Sequence, residues 1–320
     1  MKKLSYTGAI LVLILAAALL SVTNPVFSFT SKVDSEKADT TWLRNYVVGL
    51  GSTSEPRCFE HPKGLNEACA YIINCLDSLG LQSEEQMFNV AGLPQKNIIV
   101  SFGPKDAERL IVGAHYDVCG EQAGADDNAS GVAGLLELAR LLKNKTDLKY
   151  RIDLVFYTLE EPPHFRTKEM GSYIHAKSLF DQKIKVKGMV CLEMIGYFSE
   201  KPKSQQYPIG ILKLFYPTKA NYIAVVSKIG QGRFLRKIKK RIKPCCDVDV
   251  KSINAPAWIT GIDFSDHLNY WAFGYDAVMI TDTSFYRNAN YHEKTDTVET
   301  LDFAKMAEVV RGVYHAITTL

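Results

Sequence analysis

Five short segments of this chain carry side chains that bind metals or move protons. His115-Tyr116-Asp117 places a carboxylate two residues beyond an imidazole, a spacing at which the Asp can orient a metal-binding His. Gly124-Ala125-Asp126-Asp127-Asn128-Ala129-Ser130-Gly131 sets two adjacent carboxylates among small neighbours that let an ion approach; capping of the following helix accounts for one of them. Leu159-Glu160-Glu161-Pro162-Pro163 holds two glutamates that point to opposite sides of an extended chain, so one can hold a metal while its neighbour handles protons. Glu193 lies inside the apolar Leu192–Gly196 stretch, where a carboxylate is costly to bury unless paired or metal-bound. His292, in Tyr291-His292-Glu293-Lys294-Thr295-Asp296-Thr297, supplies a second imidazole. Each segment alone has an ordinary explanation as a surface His, a cap or a solvated loop entry. Together they make a mixed nitrogen and oxygen donor set, which suits zinc, with manganese or cobalt weaker fits. Five ligands with one carboxylate shared would hold two ions about 3.5 to 4 Å apart.

Such donors meet only if the elements between them carry them to one place. Apolar runs at Asn97–Val100, Leu110–Ala114, Ile152–Thr158, Gly188–Leu192 and Ala277–Thr281 predict strands. Helical spacing of apolar residues predicts helices over Asn66–Leu79, stopped by Gly80, and over Ser130–Leu142. Alternation of this kind predicts an α/β fold: a mostly parallel mixed sheet with helices on both faces. Functional residues of such sheets collect beyond the carboxyl ends of the strands, and the segments above stand just after successive strands. Arg233–Lys243 is rich in Lys and Arg, but Phe234, Leu235, Ile238 and Ile242 share one helical face, so it is expected to be a solvated basic face over a packed apolar one.

The 320 residues, 47% hydrophobic and 23% charged, exclude a disordered or fibrous chain and suffice for one large core. Net charge is +3; without Lys2 and Lys3 it is +1, with 36 basic residues against 35 acidic, which argues against a nucleic-acid-binding surface. Lys2 and Lys3, then the apolar run Ala9–Val22, then Pro25, predict a secretory leader or N-terminal anchor over residues 1–28. The run of about 14 residues is shorter than the roughly 20 that span a bilayer, which favours a cleaved signal; the membrane is a partner only if the segment is uncleaved. A polar tether over 29–40 and one continuous domain over 41–320 follow, placed outside the cytoplasm in the periplasm or medium. Seven cysteines leave at least one unpaired within the chain; Cys58 with Cys69 is the candidate bridge of an exported protein. No CxxC pair occurs, which argues against a cysteine-built structural zinc site.

From about Asn66 onward the chain resembles the co-catalytic zinc exopeptidases of metallopeptidase family twenty-eight, which include bacterial leucyl aminopeptidases and are related to glutaminyl cyclases. The HYD, GADDNASG, LEEPP, LEMIGY, FSDH and YHEKTDT segments occur in that family's order. The resemblance implies the phosphorylase/hydrolase-like architecture of zinc exopeptidases. It implies two zinc ions: His115, Asp127 and Glu193 on one, with Asp127 bridging to a second that Glu161 and His292 complete. Glu160 would be the general base to a metal-activated water, Asp117 the orienting partner of His115, and the substrate a peptide cut at its N-terminal residue. Two positions depart from the pattern. Glu193 stands where the leucyl aminopeptidases carry Asp, and Ile262 where they carry an oxyanion-stabilising Tyr; Tyr286 and Tyr291 are the candidate replacements. A glutaminyl cyclase-like zinc enzyme is the alternative activity, and a non-catalytic binding descendant the third. His61, His164, His175 and His315 are expected to be surface or packed residues, His164 the one nearest the glutamate pair.

Overall fold

Residues 2–26 and 32–320 are described by a computed structural model; the leader boundary expected near Ser28 lies outside them. Apolar runs that need burial on both faces form the centre of an eight-stranded sheet, ordered β1-β2-β4-β3-β5-β8-β6-β7. The strands are β1 (Glu84–Val90), β2 (Leu93–Phe102), β3 (Arg109–His115), β4 (Arg151–Tyr157), β5 (Val186–Glu193), β6 (Tyr222–Lys228), β7 (Asp249–Ala255) and β8 (Ala277–Thr281). Strands β4, β3, β5 and β8 run parallel. The β1–β2 hairpin pairs antiparallel to β4, and the parallel β6–β7 pair adjoins β8 antiparallel. The expectation of a mostly parallel mixed sheet with helices on both faces holds; sequence reading missed β1, β6 and β7.

One face of the sheet packs against α2 (Thr40–Leu50), α3 (Pro62–Ser78), α4 (Gly131–Leu142), α6 (Gly232–Ile242) and α8 (Phe303–Thr319) around Val112, Leu154, Leu192 and Ile280. The other face packs against α5 (Gly171–Asp181) and α7 (His267–Ala272) around Ile111, Val155, Cys191 and Met279. Period-2 burial sends alternate residues of each strand to opposite layers. Helix α3 begins at Pro62, four residues before the expected start, because proline without an N–H suits the first helical turn. On α6 the apolar face is buried as expected, but so is Lys239, whose Nζ donates to Ser252 Oγ at 2.9 Å; burial lowers it to about 8.

The first helix, α1 (Lys2–Thr23), precedes an extended stretch at 32–39 that lies along the domain. There Val33 N–H donates to Pro244 O at 3.1 Å and Asp34 pairs with Arg311. No helix among the described residues is long and apolar enough to cross a membrane. All seven cysteines are free, which corrects the Cys58–Cys69 bridge. Cys69 faces the core from the middle of α3, whereas Cys58 sits in the loop before it, its carbonyl taken by His61 N–H.

Beneath the α5 face, His175 Nδ1 lies 2.6 Å from the Tyr270 hydroxyl, which is 2.6 Å from that of Tyr157. Burial lowers His175 from its ordinary 6.5 to about 4. Between those values the unfolded chain takes up a proton that the folded His refuses, so the His175 contribution to stability falls as pH drops through this window and is constant above it. In urea unfolding, the free-energy difference between wild type and His175→Gln should change between pH 6.5 and 4 in the direction of wild-type loss, and be flat above about pH 7.

Candidate metal centre

The registers of the sheet place the donors. His115 closes β3 opposite Tyr157 of β4, and Glu193 closes β5 opposite Thr281 of β8. Glu160 and Glu161 follow β4, and His292 lies in the loop after β8. Asp127, in the turn between β3 and α4, and His292, well beyond the end of β8, are not at strand ends, which corrects the expectation that each donor stands just after a strand. Gly124 opens that turn in the left-handed region (φ 57°), where a Cβ would stand 2.3 Å from Asp127 O and from a Val118 methyl. Only glycine fits there.

Six of the seven expected residues converge directly. His115 Nε2 is 3.4 Å from Asp127 Oδ1, 3.3 Å from Glu193 Oε2 and 3.8 Å from Glu160 Oε2. His292 Nε2 is 3.2 Å from Asp127 Oδ2 and 3.3 Å from Glu161 Oε2. Asp127 therefore faces one imidazole with each oxygen. Glu160 and Glu161 diverge, one toward His115 and the other toward His292, as adjacent residues on an extended chain must.

Asp117 stands against His115 and also grips the glutamate pair. The His115 Nδ1 partner is the Asp117 backbone carbonyl at 3.2 Å, with the carboxylate at 3.5 Å. The carboxylate accepts the backbone N–H groups of Glu160 (3.2 Å) and Glu161 (3.0 Å). One residue thus sets the direction of His115 and grips the glutamate pair. With Nδ1 as donor, Nε2 keeps a lone pair aimed at the carboxylates.

The donor set fits a metal. His115 Nε2, Asp127 Oδ2, Glu161 Oε1 and His292 Nε2 are buried without a hydrogen-bond partner, which is costly unless something else binds them. Bonds of about 2.0 to 2.1 Å in a tetrahedron set neighbouring ligands roughly 3.4 Å apart, and the His–carboxylate separations above run from 3.2 to 3.4 Å for Asp127, Glu161 and Glu193. Crowding shows in the titration. Burial, then Glu161 and Glu193 against the opposing pull of His115, pushes Glu160 well above 4.5. Burial and then Asp127 raise Glu161 to about 8. Burial would lower His292, but the neighbouring carboxylates of Asp127 and Glu161 outweigh it and raise it to about 10. Burial, then Glu161 and Asp127, push the Cys119 thiol up to about 12. Four carboxylates against two imidazoles leave an anionic excess that a divalent cation would neutralise.

Residues that sequence reading missed hold this cluster. Ser265 Oγ donates to Glu193 Oε2 at 2.7 Å and Asn128 Nδ2 to the same oxygen at 3.3 Å. Asp296 accepts the N–H groups of Asp126 and Asp127 at 3.0 Å, and Asp126 turns away to accept Gly196 N–H and Asn288 Nδ2. Arg57, 2% exposed, donates to the carbonyls of Tyr116 (2.9 Å), Ala123 and Gly124 (2.6 Å), tying both ends of the loop after β3. Ser265, Asn128 and Asp296 lie in the segments singled out above; a lone Arg in a loop carries no pattern. Burial lowers Arg57 to about 10 against the opposing pull of Asp296 and Asp127. Arg57→Leu takes the side-chain donor from the Tyr116 and Ala123 carbonyls, leaves Gly124 O with only Ala129 N–H, and removes the charge behind the carboxylates, so it should cost about 3 to 5 kcal/mol in urea unfolding of the metal-free protein.

His164 is occupied by Glu169 at 2.9 Å and packs edge-on against Phe59, and His267 Nε2 meets Ile262 O at 2.8 Å. The cluster opens into a cavity of about 400 Å³ walled by Phe165, Ile253, Ile262, Phe264, Met279 and Phe285. Tyr286 also lines it, but donates its hydroxyl to Thr260 O; half-buried Tyr291 stacks on His292 at 3.8 Å.

Known proteins resemble this chain both in sequence and in fold. A protein of Escherichia coli (strain K12), YfbL, described as uncharacterized, is 45% identical over 279 residues, 85% of each chain. The fold is that of the Legionella pneumophila LapA aminopeptidase (TM-score 0.69, 19% identity, covering 90% of this chain and 77% of that one). It is equally that of a Bacteroides thetaiotaomicron glutaminyl cyclase (TM-score 0.66, 18% identity, covering 90% of this chain and all of that one). The model of peptidase family M28 matches residues 97–317, a span that holds every donor described above, and the chain belongs to that family.

Proposed function

We propose that this M28 peptidase is a two-zinc aminopeptidase that removes large apolar N-terminal residues from peptides outside the cytoplasm. The observation that carries the reading is the run of partnerless buried donors from His115 through Asp127 to His292 at the mouth of an apolar cavity. Zinc, which the family implies, would be held by His115, Asp127 and Glu193 and by Asp127, Glu161 and His292, and supplies Lewis-acid polarisation of the scissile carbonyl and acidification of water.

The chain supplies the rest. Glu160 accepts a proton from the attacking water at its carboxylate and returns it to the departing amine. Asp117 fixes Glu160 and Glu161 through their backbone N–H groups, so the base and the ligand move together. Ser265 and Asn128 hold Glu193 Oε2, which offsets the extra methylene that Glu has over Asp. Phe165, Phe264 and Met279 take the side chain of the N-terminal residue, and their apolar surface excludes water around it. Tyr291, stacked on His292, is the phenol placed at the site, since the Tyr286 hydroxyl is already committed. Lys2, Lys3 and the Ala9–Val22 run support export.

A panel of amino-acid anilides, with metal counted on the same purified sample, tests the reading. Two zinc ions per chain and fastest release from Leu and Phe anilides are expected. One ion per chain, with ammonia released from N-terminal Gln peptides and no anilide cleavage, would make the enzyme a cyclase.

A further inference from the structure

Cys119 lies four residues beyond His115, in the loop that Arg57 ties to the domain through Val118 N–H and Arg57 O at 3.0 Å. Its sulfur, a carboxylate oxygen of Glu161 and a ring nitrogen of His292 all lie within 4.8 Å of one another. Glu161 is 5% exposed and its Oε1 has no hydrogen-bond partner; His292 Nε2 and Asp127 Oδ2, 3.2 Å apart, also lack one. Among the described residues no other cysteine belongs to such a group of donors. From this we infer that Cys119 is a sulfur ligand of the second ion, alongside Asp127, Glu161 and His292, an inference that rests on the two-ion reading above.

Ligation needs no oxidant. The S–H bond breaks, its proton passes to solvent, and a sulfur–metal bond forms, with no change in oxidation state. The consequence is an asymmetric centre. Four protein donors complete a tetrahedron, the closed form of a zinc site, at the His292 position. An open coordination position then belongs to the ion held by His115, Asp127 and Glu193, the one beside Glu160, whose Oε2 is 3.8 Å from His115 Nε2. A thiolate also biases the second position toward zinc over manganese or magnesium, which prefer oxygen. The absence of a CxxC motif, which argues against a cysteine-built structural site, says nothing about one thiol in a His–carboxylate cluster.

Cobalt(II) titration of the chelator-stripped full-length protein tests the inference with a readout independent of turnover. Weak visible bands report each bound cobalt, and a strong near-ultraviolet sulfur-to-cobalt band reports thiolate ligation. The expected result is two equivalents of cobalt, with the sulfur band growing with one of them. It should be lost in Cys119→Ser and kept in Cys58→Ser, and Cys119→Ser should release one of its two zinc ions to a competing chelator about 10- to 100-fold more readily. On the wild-type chain, zinc should slow alkylation of Cys119 at least about tenfold by mass spectrometry, a measurement that no folding defect of a variant can spoil. Two bound cobalt ions with no sulfur band, and alkylation unaffected by zinc, would overturn the role of Cys119 and leave the two-ion reading standing. No cobalt bound at any concentration would overturn both.

Discussion

Glu160→Gln should lower kcat by about 10²- to 10⁴-fold while leaving zinc content, thermal stability and KM for a leucine anilide close to wild type. The change removes proton transfer and keeps shape, because Gln retains the volume and one acceptor oxygen of the carboxylate. The backbone N–H of residue 160 still reaches Asp117 at 3.2 Å, so the adjoining Glu161 stays in place. Glu160 is also the carboxylate farthest from an imidazole in the cluster, at 3.8 Å against 3.2 to 3.4 Å for the others, as suits a base more than a ligand. Burial holds its carboxyl well above 4.5. A Glu160→Gln enzyme with wild-type turnover at saturating substrate would take Glu160 out of the reaction altogether.

The largest effect on metal binding is expected from Asp127→Asn. Asp127 offers one oxygen to each imidazole-bearing side of the cluster, so a neutral amide weakens both positions at once. Zinc affinity should fall at least about 100-fold at both positions, beyond the roughly 10- to 100-fold that supporting residues cost, and activity with it. Stability gives a second measure. Zinc at 100 times its dissociation constant should stabilise the wild-type fold by about 2.7 kcal/mol, and the variant at the same zinc concentration by only a small fraction of that. Equal zinc-induced shifts in wild type and variant would show that Asp127 does not bridge. Its amide would still reach Asp296, which receives the backbone N–H of residue 127 and not the side chain, so the turn itself survives the change.

Much of this centre could be read from the chain. His115, Asp127, Glu160, Glu161, Glu193 and His292 stand in short segments that are each ordinary alone, and it is their occurrence together, beside apolar runs that read as buried strands, that points to one donor set. The positions of β3, β4, β5 and β8 followed from those runs within one or two residues. Strand β6 was legible and went unread, since Tyr222–Val226 is an apolar run of the same kind; Asp249–Ala255 of β7 mixes polar and apolar residues, and its strand character depends on pairing with β6. Arg57 was invisible for a similar reason: its partners are backbone carbonyls, which have no signature in sequence.

The order and chemistry of the donors belong to the sequence by itself, because residue type decides what can bind a cation or carry a proton, and local patterning decides which residues sit at the ends of buried strands. Which carboxylate faces which imidazole, the turning of Asp117 onto the glutamate backbone, and the arrival of Cys119 beside Glu161 and His292 were decided only by the tertiary structure. Those are differences of an ångström or two between atoms far apart along the chain. They are set by strand register, by the left-handed turn at Gly124 and by the buried guanidinium of Arg57, and none of these can be summed from one segment at a time.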